Sequence, residues 1–414
     1  MTRVSQTVGP RPTVSHLPFS LPWIGEEEIA AVVECLRSGW LTTGPRVKQF
    51  EARFAEYVGC RHAVALNSCT AALHLALEAL GVGAGDEVLV PTMTFAATAE
   101  VVRYLGARPV LMDCHPETLN LDVNCLAAFL DEHCGRGEAG ACNRHTGARV
   151  RAVIPVHYAG LPCDMEPLLA LAHRRGLAVV EDAAHALPAH VGGRRVGTLG
   201  TAAAFSFYAT KNITTGEGGM FTTDDDALAE RVRIMSLHGI SRDGWLRYSA
   251  RGSWCYEILE AGYKYNMTDI AAALGLQQLQ RVEDLWERRA RYARRYTEAF
   301  RALPEVDTPP DAPPLDQHAW HLYVLRLNAE RLTIDRAAFI EELRARGIGA
   351  SVHFIPLHLH PYYRQTYGYR AADCPVASAA YEQILSLPLY ARMTPEDVER
   401  VIDAVMDIVQ RYRG

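Results

Sequence analysis

Three stretches of this sequence carry residues whose types and order could do chemistry together, though each alone has an ordinary explanation. Lys211 closes the run Phe205-Ser-Phe-Tyr-Ala-Thr-Lys211, and a glycine-rich turn, Gly216-Glu-Gly-Gly219, follows it. Phe205 and Phe207 alternate with small or polar residues, Ser206 between them, at the period of a half-buried strand. The lysine is therefore expected at a sheet edge, as a reactive amine. Asp182 ends the apolar run Leu177-Ala-Val-Val-Glu-Asp182, and small residues and His185 follow. That is the place for a buried functional acid. Ala63–Leu66 reads as a short strand, Asn67-Ser-Cys-Thr70 as a turn and Ala71–Leu80 as a helix. Free N–H groups and the positive dipole end at such a helix start attract an anion, and the hydroxyls of Ser68 and Thr70 add donors. The bland readings are a solvated loop lysine, an acid that caps the next helix, and a helix start like any other.

Taken together, an amine that condenses with carbonyls, an acid and a phosphate cradle describe the needs of one cofactor. Pyridoxal phosphate supplies an electron sink to amine chemistry, provided that a carboxylate keeps its pyridine nitrogen protonated. Asp182 is the candidate for that carboxylate.

These groups must be positioned by a core, and the chain is long enough to build one. Its 414 residues are 49% hydrophobic, which suits a globular protein with two or three core-bearing units. A net charge of −6 without a long basic run argues against nucleic acid as partner. Residues 1–16 are polar and hold Pro10 and Pro12, with no apolar leader core, and no later stretch is long enough to span a membrane. A cytoplasmic protein is the expectation. Ten cysteines without a Cys-x-x-Cys pair read as free thiols. His133, Cys134, Cys142 and His145 lie in a glycine-rich segment, but their spacing is too loose for a zinc site, so no metal is expected and residues 131–149 read as a surface loop.

Helices are expected over Glu26–Ser38, Val47–Val58, Thr94–Leu105, Val123–His133 and Asp164–Arg175, alternating from Ala63 onward with short apolar strands. This βαβ pattern predicts a mostly parallel sheet, with ligands at the carboxyl ends of its strands. Gly81-Val-Gly-Ala-Gly85 follows a helix instead of opening one and is a turn, not a dinucleotide fingerprint. Trp245, Tyr248, Trp254 and Tyr256 mark a segment without a period, a loop over the site or at an interface. Beyond it, Arg281–Leu303 reads as a solvent-facing helix, residues 348–355 as a strand and residues 376–385 as a helix. A last helix is opened by Thr394-Pro-Glu-Asp. The expected division is a tail (1–16), a large cofactor-binding domain (17–261) and a small C-terminal domain with linking helices (262–414).

In chain order, the motifs Gly39-Trp-Leu-Thr-Thr-Gly-Pro45, Asn67-Ser-Cys-Thr-Ala-Ala72, Pro91-Thr-Met-Thr-Phe95, Glu181-Asp-Ala-Ala-His185, Thr210-Lys-Asn-Ile-Thr-Thr-Gly-Glu-Gly-Gly219, Gly262-Tyr-Lys-Tyr-Asn-Met-Thr-Asp269 and Val352-His-Phe-Ile-Pro-Leu-His358 resemble the DegT/StrS-type sugar aminotransferases. The resemblance covers nearly the whole chain. It implies an α/β fold of the aspartate aminotransferase (fold type I) kind, with a mostly parallel sheet in the large domain and a smaller C-terminal α+β domain. It also implies pyridoxal phosphate as cofactor, glutamate as amino donor, a nucleotide-linked keto sugar as acceptor and a homodimer with shared active sites.

Carried over residue by residue, the resemblance makes Lys211 and Asp182 catalytic. Ser68, Cys69, Thr70, Ala71, Phe95, His185, Ser206 and Asn266 join them as cofactor-binding residues. Phe95 would stack on the cofactor ring, and His185, where relatives commonly carry glutamine, would face its 3-hydroxyl. Relatives commonly show asparagine at the place of Lys264; here asparagine stands at Asn266, and either side chain can donate to a neighbouring subunit's phosphate. Thr42, Thr43, His321 and His353 are candidate sugar contacts, with buried structural histidines as the alternative. The small-domain motif is most like that of relatives acting on 4-keto sugars. Two rivals remain, a sugar dehydratase on the same cofactor and a regulator that keeps the fold. The first is expected to replace the lysine by histidine, the second to lose lysine or acid.

Overall fold

The computed structural model describes residues 16–137, 140–241 and 256–414. The tail up to residue 15 and the expected loop aromatics Trp245, Tyr248 and Trp254 lie outside the described residues.

The larger body is built on a nine-stranded sheet. Its strands are β1 (His62–Leu66), β2 (Asp86–Pro91), β3 (Arg108–Met112), β4 (Cys134–Gly137), β5 (Gly140–Asn143), β6 (Arg149–Val153), β7 (Ala178–Asp182), β10 (Ala202–Ser206) and β11 (Gly219–Thr223). Between β7 and β10, β8 (His190–Val191) and β9 (Arg194–Arg195) make a separate small hairpin. The spatial order is β1-β11-β10-β7-β6-β2-β3, and every pair from β10 to β3 is parallel, whereas β11 runs antiparallel to both of its neighbours. Strand β2 is buried at every residue, as expected of a parallel strand covered on both faces. Helices α1 (Glu26–Ser38), α2 (Pro45–Val58), α3 (Cys69–Ala79), α4 (Ala97–Tyr104), α5 (Val123–His133), α6 (Met165–Arg175) and α7 (Asp226–Met235) fill the connections.

The approach to Lys211 is set by aromatic packing. Phe54 meets Phe205 and Phe207 edge-on, with ring centroids 5.1 and 5.6 Å apart, and Phe50 meets Phe207 at 5.3 Å. Because side chains alternate along a strand, pinning both phenylalanines to α2 turns Ser206 to the opposite face.

Residues 131–149 are not a loop. Residues 134–137 and 140–143 pair as β4 and β5, and Cys142 pairs with Arg149 to join β5 to the main sheet. The reason is polar satisfaction. Glu87 is fully buried on β2, and its carboxylate accepts from Asn143 Nδ2 at 2.8 Å and Thr146 Oγ1 at 2.9 Å. The His133 and His145 rings meet at a tilt with centroids 5.3 Å apart, and among the described residues no group of His, Cys, Asp or Glu is placed to hold a metal ion.

Helix α8 (Asp269–Gln280), capped by Thr268, packs against α1 and α2. Helix α9 (Val282–Phe300) then carries the chain into a second core around the antiparallel sheet β12 (Val306–Asp307), β13 (Tyr323–Leu327) and β14 (Ile384–Leu387). Far from facing solvent throughout, α9 buries Leu285, Arg289, Tyr292, Tyr296 and Phe300 along one stripe, and Tyr296 meets Tyr323 at 5.1 Å. Its Arg and Glu density marks only the other face. Helices α10 (Arg336–Ala345), α12 (Pro375–Gln383) and α13 (Pro395–Tyr412) complete this body, whereas α11 (Pro361–Tyr367) packs Tyr363 into the core of the larger one.

Two other expectations fail here. The expected helix over 376–385 stops at Gln383, and the apolar residues after it form β14 against β13. The segment 348–355 is not a strand: it makes only single bridges, Ile348 to Leu17 and Ser351 to Ser386. Leu17 takes its local hydrogen bonds, donating to the Gly347 carbonyl and accepting from the Gly349 N–H.

Candidate active site

The strands β1, β2, β7 and β10 run the same way and end along one edge of the sheet, and the candidate residues follow those ends. A cleft of about 610 Å³ opens there, and its wall includes Ser68, Cys69, Thr70, Phe95, Asp182 and His185, together with Ser206, Lys211, His321 and His353. Ten of the positions singled out from sequence, dispersed over nearly 290 residues, thus share one cavity.

The cradle forms because Ser68 adopts an extended conformation and caps α3, its Oγ accepting from the Ala71 N–H at 3.1 Å. Helix α3 therefore starts at Cys69, two residues earlier than expected, and the N–H groups of Cys69 and Thr70 lead it. The Ala71 N–H is taken by Ser68, and Ala71 lies behind the cleft wall. Gly219 allows β11 to pass directly beneath the turn, since a Cβ on it would stand 2.3 Å from the Ser68 carbonyl carbon.

Asp182 is 5% exposed. Its Oδ2 accepts from Thr98 Oγ1 at 2.8 Å, its Oδ1 accepts from the Ala184 N–H at 3.2 Å, and Thr98 is in turn 2.7 Å from Thr94 Oγ1. Burial pushes the carboxyl above its ordinary range, opposed by these hydrogen bonds and by the Lys211 charge. Glu181, the preceding acid, points to the other face of β7. It accepts from the backbone N–H groups of Gly197, Leu199 and Gly200 at 2.8–3.1 Å and lies 3.2 Å from His157 Nε2. Since the Cys163 N–H donates to His157 Nδ1, the imidazole proton sits on Nε2 and faces Glu181.

Lys211 is held by a tied loop. Its N–H donates to the Tyr208 carbonyl at 2.9 Å, and Thr215 N and Phe207 N close the base through Phe207 and Gly218 carbonyls at 2.9 Å each. Gly216, at φ 79°, makes the left-handed turn. Burial pushes the ammonium down to about 8, with Cys69 and Asp182 pulling the other way. The Cys69 thiol is pushed up by burial and by Asp182.

Aromatic rings form the rest of the wall. Phe95 is exposed in the cleft, its ring 6.2 Å from Phe354. His185 lies 4.3 Å from His321 and stacks on Phe354 at 5.8 Å, and its buried Nδ1 has no partner among the described residues. Burial and the nearby Lys211 charge hold His185 and His321 well below the usual histidine range, and His353 is pushed down to about 4.

Thr42, Thr43 and Asn266 are elsewhere. Asn266 Nδ2 donates to Thr43 Oγ1 at 2.7 Å, Thr43 Oγ1 donates to the Met267 carbonyl at 2.6 Å, and Lys264 Nζ donates to Asn266 Oδ1. The Thr42 carbonyl accepts from the Asp269 N–H at 3.2 Å. Thr43 and Asn266 line a neighbouring pocket of about 160 Å³, separate from the Lys211 cleft.

Sequence reasoning passed over Thr98, Asn212 and Phe354. For Thr98 a signal existed, because Thr94 and Thr98 stand four apart at the start of a helix and so share a face. The tertiary partners of Asn212 leave no trace in the sequence.

The donor set fits pyridoxal phosphate: an anion cradle at a helix start, a buried amine, and a buried carboxylate with an unfilled side. The orphaned Nδ1 of His185 is a further group that lacks a partner without a ligand.

Residues 22–406 match the DegT/DnrJ/EryC1/StrS aminotransferase family. The chain is 50% identical over 398 residues to the spore coat polysaccharide biosynthesis protein SpsC of Bacillus subtilis, an alignment covering 95% of this chain and 97% of that one. Spr1654 of Streptococcus pneumoniae, solved in its PLP form, superposes with a TM-score of 0.85 at 33% identity, covering 96% of this chain and 99% of that one. Helicobacter pylori PseC, an aminotransferase involved in the biosynthesis of pseudoaminic acid, superposes with a TM-score of 0.85 at 28% identity, covering 96% of this chain and all of the other.

Proposed function

The chain belongs to the DegT/DnrJ/EryC1/StrS aminotransferase family and is a pyridoxal-phosphate-dependent aminotransferase, and from that premise we propose that it moves an amino group from glutamate to a nucleotide-linked keto sugar, with 4-keto sugars favoured, for amino-sugar biosynthesis in the cytoplasm. The observation that supports this reading is the convergence of Lys211, Asp182 and the Ser68–Thr70 turn on one cleft.

When bound, the cofactor supplies an electron sink for the carbanion at the donor's α-carbon. The residues of the chain do the rest. Asp182, braced by Thr98, keeps the ring nitrogen protonated. The Cys69 and Thr70 N–H groups and the Ser68, Thr70 and Ser206 hydroxyls bind the phosphate. Phe95 would cover one face of the ring, and His185 would serve its hydroxyl, both lining the cleft. Lys211, with its proton held at only about 8, serves as base and then as acid at the donor's α-carbon near neutral pH. Its place in the cleft favours amine transfer over the dehydratase reading, in which histidine takes its position.

Thr42, Thr43 and Asn266 enter the scheme through a homodimer, in which one subunit's Asn266 pocket completes its partner's cleft. His321 and His353, which line the same cleft, are the side chains we assign to the sugar.

Purified protein is expected to show a visible absorption band that bleaches with excess glutamate, and that returns when a nucleotide-linked 4-keto sugar is added, with the amino sugar found by mass spectrometry. A band that never forms with Lys211 intact would sink the proposal, and bleaching by other amino acids alone would displace glutamate.

A further inference from the structure

The segment 318–321 reaches the cleft from the smaller body and is held from several sides. Ala319 N and His321 N donate to the Gly160 and Ala159 carbonyls at 2.8 and 3.0 Å. Trp286 Nε1 donates to the His318 carbonyl at 2.8 Å, and the buried Arg289 guanidinium donates to the His321 and Leu389 carbonyls at 3.3 and 2.7 Å. The fit at Gly160 is close, since a Cβ there would lie 2.9 Å from the His185 carbonyl oxygen. His321 is thus a fixed part of the wall.

Asn212, the residue after the reactive lysine, decides which nitrogen of that ring faces the cleft. Its Nδ2 donates to the carbonyls of Leu187 and Ala319, both at 2.7 Å. Carbonyls only accept, so the amide has one possible orientation. Its Oδ1 then faces His321 Nδ1 at 3.1 Å, and since that oxygen also only accepts, Nδ1 must carry the proton. The neutral ring keeps a bare lone pair on Nε2, the nitrogen left for the cleft that His321 lines. Burial, with His185 and Lys211 nearby, favours that neutral form.

We propose that Asn212 is a positioning residue that fixes His321 as its Nδ1–H tautomer, so that Nε2 accepts a hydrogen bond from a hydroxyl of the acceptor sugar. The sugar is singled out because glutamate's carboxylates offer only acceptor oxygens to a bare lone pair, whereas a sugar offers O–H donors. This role for Nε2 rests on the proposed sugar substrate; the tautomer does not.

The test is 15N NMR of histidine-labelled holoenzyme, with His321→Ala supplying the assignment. His321 is expected to show a protonated Nδ1 and a bare Nε2, and Asn212→Leu to release the ring to Nε2–H. The same variant should slow amine transfer into a nucleotide-linked 4-keto sugar at least about tenfold more than amine uptake from glutamate. A wild-type ring protonated on Nε2 overturns the proposal whether or not Asn212→Leu folds. Equal losses in the two half-reactions of a folded Asn212→Leu enzyme overturn the sugar contact, because a merely structural residue would damage both. A wild-type Nδ1–H ring in an enzyme that takes up amine from glutamate but delivers it to no keto sugar removes the role given to Nε2, together with the substrate reading, and leaves the tautomer standing.

Discussion

Holding an ammonium in the cleft destabilises the cofactor-free fold, and Lys211→Met should reveal by how much. Burial brings the Lys211 value from 10.5 down to about 8, a difference equivalent to about 3 kcal/mol. At pH 7 the amine is protonated in both folded and unfolded chains, so the folded state bears the whole penalty. As pH rises through 8 the folded chain sheds its proton first, and above 10.5 both states are neutral and the penalty is gone. Apoprotein carrying Lys211→Met is therefore expected to be more stable than wild type at pH 7 by up to about 3 kcal/mol, a net figure that already includes the attraction to Asp182. The advantage should shrink between pH 8 and 10.5. For a chain of 414 residues this corresponds to a rise in Tm of about 3 °C. Scanning calorimetry of both apoproteins at pH 7 and pH 10 measures it, and the difference between variants cancels the other titrating groups. A variant that melts at or below wild type at pH 7 would show that the amine is well solvated or well paired in the cleft, and would refute the reasoning.

Thr98→Val keeps the shape of a fully buried side chain and deletes the 2.8 Å hydrogen bond to Asp182. Such a bond to a charged group contributes about 1.5–3 kcal/mol, so turnover should fall about 10- to 100-fold with the melting curve little changed, and turnover within a factor of about two would count against Asp182 as the ring-nitrogen partner. Gly219→Ala drives a Cβ into the Ser68 backbone. Titration of pyridoxal phosphate into this apoprotein should show at least about tenfold weaker binding, and unchanged affinity would mean that the turn above β11 is not the phosphate cradle. Refolding Lys211→Ala and Asn266→Ala together should restore about a quarter of wild-type activity, because half of the dimers would be mixed and each would hold one intact shared site. No recovery above the separate variants would speak against sharing.

The parts of the fold that were legible in the sequence are those set by local rules. Helix α1 begins with three acids and ends at Gly39 in the left-handed conformation, and its expected limits agree with the structure residue for residue. Helix α13 opens on the Thr394–Asp397 capping box that its sequence announces. The larger failures involve partners distant in sequence. Residues 134–137 and 140–143 have a loop's glycine content yet form strands, because Glu87, some 50 residues earlier, needs the donors that Asn143 and the following Thr146 bring. Residues 384–387 carry an apolar run that suits a helix end as well as a strand, and only Tyr323–Leu327 beside them decides. Helix α9 has charges enough to hide its apolar stripe from a reading by composition.

The adjacent acids of β7 show why the site itself was legible and its supports were not. Strand alternation turns Glu181 and Asp182 to opposite faces, so only one of them can meet the cleft. Glu181 collects three backbone N–H donors and faces His157, which saturates it and makes it the anchor of the turn at 197–200. Asp182 has two donors in the protein, Thr98 and the Ala184 N–H, and is buried at the strand's carboxyl end with acceptor capacity to spare. A carboxylate that is buried and only partly satisfied is costly unless a ligand completes it. The same holds for the unpartnered Nδ1 of His185 and for the lowered ammonium of Lys211. Lys211, Asp182 and His185 are the residues this fold leaves incomplete. Thr98, Asn212 and Glu181 have bonds that close within the protein, and although Asn212 and Glu181 stand inside the quoted motifs, the motifs do not tell which partners they meet.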